Sequence, residues 1–223
     1  MSLQARENAM GGESVYLFTK EELSKVPASH RPLVGPEERA ALRDVRGYFG
    51  RLAAAARLPA LRWWLAMLSR CDDPVLELHT AGLEGVEGEA LFRFYLYNGS
   101  SPAVGLRSGA CPEELPPPLD DVYRLIDGTN HFGFGMAGGL GRAGESVSVA
   151  ETGVWLSETN AIDPATCQPF YSTRGGDMLC YRLPDQAVWY TGETGMLREA
   201  GSLHALVERY FRGLLRGSAL EPE

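Results

Sequence analysis

Long apolar runs, clustered cysteines and grouped histidines are all missing from this 223-residue chain. No segment approaches the roughly 18 consecutive apolar residues that a membrane helix needs. Residues Met1 to Asn8 lack the apolar centre of a secretory signal, so a cytoplasmic address is expected. Cys71, Cys111, Cys167 and Cys180 lie far apart with no Cys-x-x-Cys pair, which predicts free buried thiols rather than disulfides or a zinc site. His30, His79, His131 and His204 show no metal-binding spacing, and no metal or cofactor is expected. Lysine is nearly missing, with Lys20 and Lys25 the only two among 21 basic residues, a compositional bias that says nothing about function.

What is present is the composition of a globular protein, 44% hydrophobic and 22% charged. The net charge of -8 is unevenly placed: residues 1–110 hold 13 basic and 13 acidic residues, whereas residues 111–223 hold 8 and 16. An acidic surface repels phosphate backbones and attracts basic proteins, so direct nucleic-acid binding is disfavoured.

Pro36 with Glu37 and Glu38 opens a helix expected to run to Arg57, burying Leu42, Val45, Phe49 and Leu52. Arg39, Arg43 and Arg46 make a solvated basic stripe on it. Pro59 breaks this helix, and residues 61–68 form a second with Leu61, Trp64, Leu65 and Leu68 on one face. Trp63 and Trp64 diverge by about 100°, so one is exposed or covered by the second half of the chain. Residues 75–80 and 90–97 alternate as strands, with Phe92, Phe94 and Leu96 facing the core. Asn98 to Pro102 reads as a turn, and Cys111 to Pro118 as a proline-rich connection that makes the best boundary in the chain. Beyond it, Leu115 to Ile126 is a short proline-opened helix stopping in a turn at Asp127 to Asn130. A glycine-rich loop then runs to Gly144, followed by strand candidates at 146–150 and 153–157 and a turn around Ile162 to Pro164.

Residues 178–183 and 187–191 form a hairpin signal, and a polar connection leads to a final amphipathic helix. In that helix Leu203, Leu206, Val207, Tyr210, Phe211 and Leu214 recur at three- and four-residue spacing, with Ser202 as N-cap. The expected fold is α+β, a mainly antiparallel sheet with helices on one side and the C-terminal helix closing it. The expected organisation is a variable segment 1–35, a helical pair plus β-hairpin 36–110, an α+β domain 111–217 and a tail 218–223.

Gly133 to Gly138 and Gly139 to Gly144 each match Gly-x-Gly-x-x-Gly. A dinucleotide site needs a strand before these glycines and a helix after them. The expected order here is the reverse, so the segment reads as a flexible or binding loop. His131 with Cys167 or Cys180 is one catalytic pairing to weigh, but a lone histidine and a buried strand cysteine are far more often structural. No nucleophile, base and anion-stabilising set converges in the sequence, so no enzyme is expected and no catalytic residue is assigned.

Leu115, Pro116, Tyr123 and Asn130 in the entry helix and turn, Gly175, Gly176 and Asp177 at a strand entry, and Val188 and Tyr190 in the next strand resemble the SUKH superfamily. That superfamily includes bacterial toxin-immunity proteins and fungal cell-wall regulators. The similarity covers roughly the second half of the chain. Where the family usually carries Asn-Gly, Asn130 is followed by His131 and Phe132 before Gly133. The resemblance implies a non-catalytic, tight protein–protein interaction, and the leading expectation is an immunity protein that neutralises a toxin. The acidic second half fits a basic toxin such as a nuclease. A contact surface is expected from acids in loops and turns: Asp120, Asp121, Glu145, Glu151, Glu158, Asp163, Asp185 and Glu193. Asp177 reads as structural, accepting backbone N–H groups within its own turn. The alternatives are a regulatory or scaffold module, as in the fungal branch, and a small-ligand protein or enzyme using the loop 128–144.

Overall fold

Among the described residues each strand pairs antiparallel with its successor, so that eleven strands form one meander in sequence order. A computed structural model of the protein describes residues 4–7, 13–71, 73–80, 89–96, 99, 101–107, 115–133, 136–141, 147–173, 175–183 and 185–216. The strands are β1 (Gln4–Glu7), β2 (Glu13–Leu17), β3 (Val75–His79), β4 (Glu89–Arg93), β5 (Ser101–Leu106) and β6 (Ile126–Gly133). They continue as β7 (Met136–Leu140), β8 (Gln168–Thr173), β9 (Met178–Arg182), β10 (Gln186–Thr191) and β11 (Met196–Ser202). The helices are α1 (Pro36–Arg43), α2 (Val45–Ala55), α3 (Pro59–Leu68), α4 (Pro117–Tyr123) and α5 (Leu203–Arg216). The class is α+β with α5 closing the sheet, as the sequence predicts. No helix among the described residues is long and apolar enough to cross a membrane.

The period of two along a strand sorts side chains between two apolar layers. In β10, Ala187 and Trp189 join the main core, while Val188 and Tyr190 join a smaller cluster on the opposite face. In β8 the alternation fails: Phe170 and Tyr171 both enter the main core, because a bulge inserts Phe170 between the pairs Pro169↔Cys180 and Tyr171↔Leu179. All six apolar positions named for the last helix are buried, worth on the order of 10 kcal/mol of gross apolar burial. Trp64 of α3 meets Phe211 at 5.3 Å between ring centroids, and Phe49 of α2 meets Phe94 at 5.0 Å. Trp63 is the outward member of its pair, 71% exposed.

Several expectations are corrected. The helix expected over 36–57 is two helices, because Asp44 leaves helical geometry (φ -154, ψ 79) and its carboxylate accepts the Gly47 N–H at 2.8 Å to cap α2. An aspartate that bonds its local backbone favours a cap over a helix interior. Pro59 does not merely break a helix; it opens α3 at the first position, where its missing N–H costs nothing. The turn expected at Asp127 to Asn130 is the start of β6, and much of the expected glycine-rich loop is the β6–β7 hairpin. Gly128, at φ +84, tolerates no side chain, since a Cβ there would lie 2.9 Å from the Leu140 carbonyl oxygen. Residues 147–150 and 153–157 form no strand, and Gln168 to Thr173 and Met196 to Ser202 are strands that the sequence pattern does not announce. The proline-rich connection does not divide the fold: β5 before it pairs with β6 after it, and one core draws residues from both sides.

Candidate protein-binding face

The segment 147–167 leaves the sheet after β7 and returns as β8, lying over the second apolar cluster of Val149, Cys167, Cys180, Val188, Tyr190 and Leu197. Local chemistry gives it a fixed shape without a regular element. At its start the Ser148 N–H and hydroxyl both donate to Glu151, at 2.9 and 2.6 Å, closing a short 3₁₀ turn at Val149–Glu151. These two bonds hold the Glu151 carboxyl below its ordinary value. Near its end Asp163 caps a second turn, Pro164–Thr166, by accepting the Ala165 N–H at 3.0 Å. The two turns are joined where the Val149 N–H donates to the Cys167 carbonyl at 2.9 Å.

The middle of the segment is stapled to the β10–β11 turn. The Ser157 N–H and the Asn160 side-chain amide both donate to the Gly195 carbonyl, at 3.0 and 2.9 Å. Asn160 Oδ1 accepts the Leu197 N–H at 2.7 Å, so one side chain serves the outer edge of β11 as a neighbouring strand would. The Tyr190 hydroxyl donates to the Trp155 carbonyl at 2.9 Å. The indole of Trp155 lies against the Cα of Gly195 (φ +60), where a Cβ would come within 2.6 Å of the ring. Even so, Trp155 is 63% exposed, and its outward surface is the largest apolar group on this face.

The acids named from sequence divide sharply. Glu151, Glu158 and Asp163 are exposed on the 147–167 segment, and Glu193 is exposed on the turn to which that segment is stapled. No lysine or arginine occurs from residue 147 to 173. Asp177 does act structurally, though beyond its own turn: its carboxylate accepts the Gly192 N–H at 2.8 Å, tying the β8–β9 turn of Gly175 and Gly176 to the β10–β11 turn. The remaining acids lie elsewhere. Asp185 accepts the His204 N–H and the Ser202 hydroxyl at 3.2 Å each, sharing the capping of α5 with Ser202. Asp120 faces Arg57 at 3.7 Å on the helix layer. Asp121 is corrected as a surface contact: it is 1% exposed, accepts the Arg57 and Leu58 N–H groups, and pairs with Arg124 at 2.6 Å. Glu145 lies outside the described residues.

Of the family-motif positions, Leu115 packs against the core, Pro116 is buried as the N-cap of α4, and the buried Tyr123 donates its hydroxyl to the Gly141 carbonyl at 3.0 Å. Asn130 lies in β6. Trp155, Asn160 and Gly195 are positions of this face that sequence reasoning misses; a lone tryptophan among acids and glycines is the signal that points to the first.

One polar constellation resembles a catalytic set. Ser14 Oγ lies 2.8 Å from His79 Nδ1, and His79 Nε2 lies 3.4 Å from Glu77, which takes two bonds from Arg93 at 2.6 and 2.7 Å. Ser14 is 1% exposed and lies in β2, paired to β1 and β3 on its two sides, so a substrate carbonyl has no approach to it. Burial pushes the Glu77 carboxyl up, but the bonds from His79 and Arg93 outweigh this and hold it below its ordinary value. The cluster works as a buried ion pair that binds β2, β3 and β4 together. Cys167 and Cys180 are free thiols, and burial pushes both up, away from the reactive thiolate. Cys111 lies outside the described residues. Among the described residues no group of three or more histidine, cysteine or acidic side chains is placed to hold a metal ion. No family model matches this chain, and neither a curated protein nor a solved structure matches it.

Proposed function

We propose that this protein is a non-catalytic binding module that neutralises a basic protein toxin by direct contact, with the 147–167 segment and the β10–β11 turn as its contact face. The observation that carries the reading is Trp155, a large aromatic held outward on a braced backbone and accompanied by Glu151, Glu158, Asp163 and Glu193. A rigid exposed tryptophan is the type of anchor that dominates interface energy, because little entropy is lost when a partner covers it. Acids around it speed encounter with a basic surface and disfavour acidic partners. The SUKH resemblance supplies the toxin class, and a nuclease, which is basic because it binds phosphate backbones, suits this charge.

The test is capture of one stoichiometric partner from the protein's own organism at moderate salt, followed by asking whether that partner is toxic and whether co-expression rescues cells. Trp155→Ala and Glu158→Lys/Glu193→Lys should each abolish capture and rescue while leaving the melting temperature within a few degrees. A partner that binds all variants equally overturns the assignment of this face. Captured partners that are never toxic overturn neutralisation.

A further inference from the structure

Two aspartate–proline bonds occur in this chain, Asp73–Pro74 and Asp163–Pro164, and the fold treats them differently. Asp73 has a φ of 53, the one positive value among the described non-glycine residues. Aspartate enters the left-handed region more readily than most residues, but the ring of a following proline pushes its predecessor toward extended geometry, with φ near about -120°. Neither neighbouring segment is free to relieve this. Where α3 ends, the Arg70 and Cys71 N–H groups donate to the carbonyls of Met67 and Leu68 at 3.0 and 3.1 Å. On the other side Pro74 is buried at the entry to β3, whose Val75 pairs with Arg93. Strain persists where the surrounding structure holds it from both sides in this way. Asp73 itself is exposed, and its carboxylate accepts no hydrogen bond among the described residues. Asp163 is the opposite case: its backbone is relaxed (φ -69, ψ 114), and its carboxylate is occupied by the Ala165 N–H at 3.0 Å.

From this contrast we infer that Asp73–Pro74 is a self-cleaving bond. One carboxylate oxygen of Asp73 attacks the carbonyl carbon of its own residue. The bond from that carbon to the Pro74 nitrogen breaks, and the nitrogen takes a proton from solvent and leaves as a secondary amine. The cyclic anhydride left on Asp73 then adds one water, so the net reaction is hydrolysis to a C-terminal Asp73 and an N-terminal Pro74. The nucleophile and the carbon it attacks belong to one residue, so no second catalytic group is needed. The nitrogen of a prolyl amide is protonated more readily than that of an ordinary peptide, which makes proline the better leaving group. Departure of Pro74 also releases Asp73 from its constraint, and relief of the usual cost of such a backbone speeds the step about tenfold. The cut separates β1, β2 and α1–α3 from the rest of the chain. Because β2 stays paired to β3 and one core draws on both pieces, the product is a nicked fold with a new terminus at β3. The bond lies apart from the Trp155 face, and its cleavage does not depend on the function proposed for that face.

A mass-spectrometric time course of the purified full chain in mildly acidic buffer, folded and in urea, tests this, with circular dichroism to confirm that the folded sample remains so. In the folded sample, fragments 1–73 and 74–223 are expected to accumulate about tenfold faster than fragments 1–163 and 164–223. In urea, where the backbone constraint is gone, the two bonds should break at similar rates, and Asp73–Pro74 more slowly than in the fold. Asp73→Asn removes the carboxylate and Pro74→Ala the labile leaving group; each should stop the cut after residue 73 and leave the slow cut after residue 163 unchanged. Asp73 is exposed, so Asp73→Asn leaves folding intact. No fragments, equal rates at the two bonds in the folded protein, or faster cleavage of Asp73–Pro74 in urea would each overturn the inference. Cleavage that persists in Asp73→Asn would do so as well, since it would mark a protease rather than the chain's own carboxylate.

Discussion

Asp121 on α4 accepts the backbone N–H of Leu58 at 2.8 Å, 63 residues away in sequence, and the same oxygen takes the N–H of Arg57 at 2.8 Å. The α2–α3 turn therefore has its free amides satisfied by a carboxylate from another helix, and Arg124 completes the charge balance at 2.6 Å. Asp121→Ala leaves two amides and a guanidinium without this partner. We expect a loss of about 3 kcal/mol, read as a lower urea midpoint at unchanged slope. Asp121→Asn retains one acceptor and should lose about half as much.

The Glu77–Arg93 pair predicts an acid-sensitive contribution. Its folded-state carboxyl lies below the ordinary value, so its stabilisation is fully present above the unfolded value of about 4.3 and is lost as pH falls through the lower folded value. Glu77→Gln should destabilise the protein by about 3 kcal/mol at neutral pH, because Arg93 loses its buried partner. The gap in melting temperature between parent and variant should then narrow below about pH 4. A gap independent of pH would mean that the pair contributes through packing alone.

These two acids also mark where sequence reading stops. A carboxylate in a short helix looks solvated until the folded chain brings distant N–H groups to it, and nothing near Asp121 announces Leu58. The amphipathic α5 is legible because a one-sided apolar stripe needs no knowledge of its partner, and β9 and β10 because both their faces are buried. The missed strands have physical reasons. β5 carries Pro102 and Gly105, β6 begins with the turn-forming Asp127 and Gly128, and β7 is rich in glycine, yet pairing on both sides overrides local preference. Among the described residues β11 has one strand neighbour, and most of its residues are exposed or half-buried, as suits an edge. Exposed acids on the 147–167 segment can be named from sequence; the staple through Asn160 that groups Glu158 with Glu193 cannot.

Gly195 offers a direct probe of that staple. Its φ of +60, and an indole that would stand 2.6 Å from any Cβ at this position, leave no room for alanine without displacing Trp155. Gly195→Ala should cost about 1–3 kcal/mol and increase acrylamide quenching of tryptophan fluorescence as the ring leaves the backbone. Asn160→Ala, which removes the acceptor of the Leu197 N–H and one of the two donors to the Gly195 carbonyl, should give the same quenching change with about 1–2 kcal/mol lost. Unchanged quenching in both variants would show that Trp155 keeps its position without the turn.

Beneath α5 the Tyr210 hydroxyl lies 2.6 Å from Thr129 Oγ1, which also accepts the Leu140 N–H at 3.2 Å. This bond joins the closing helix to β6 and β7 inside the main core, and burial drives the Tyr210 phenol far above its ordinary value. Thr129→Val keeps the shape but takes the hydroxyl from both partners, and should cost about 2 kcal/mol. Tyr210→Phe leaves Thr129 still bonded to Leu140 and should cost about 1 kcal/mol. Because the two changes break one shared bond, the double variant should lose less than the sum, a coupling that urea denaturation of the four proteins measures. Strict additivity would mean that α5 is held to the sheet by its apolar face alone, with Thr129 serving only the β6–β7 hairpin.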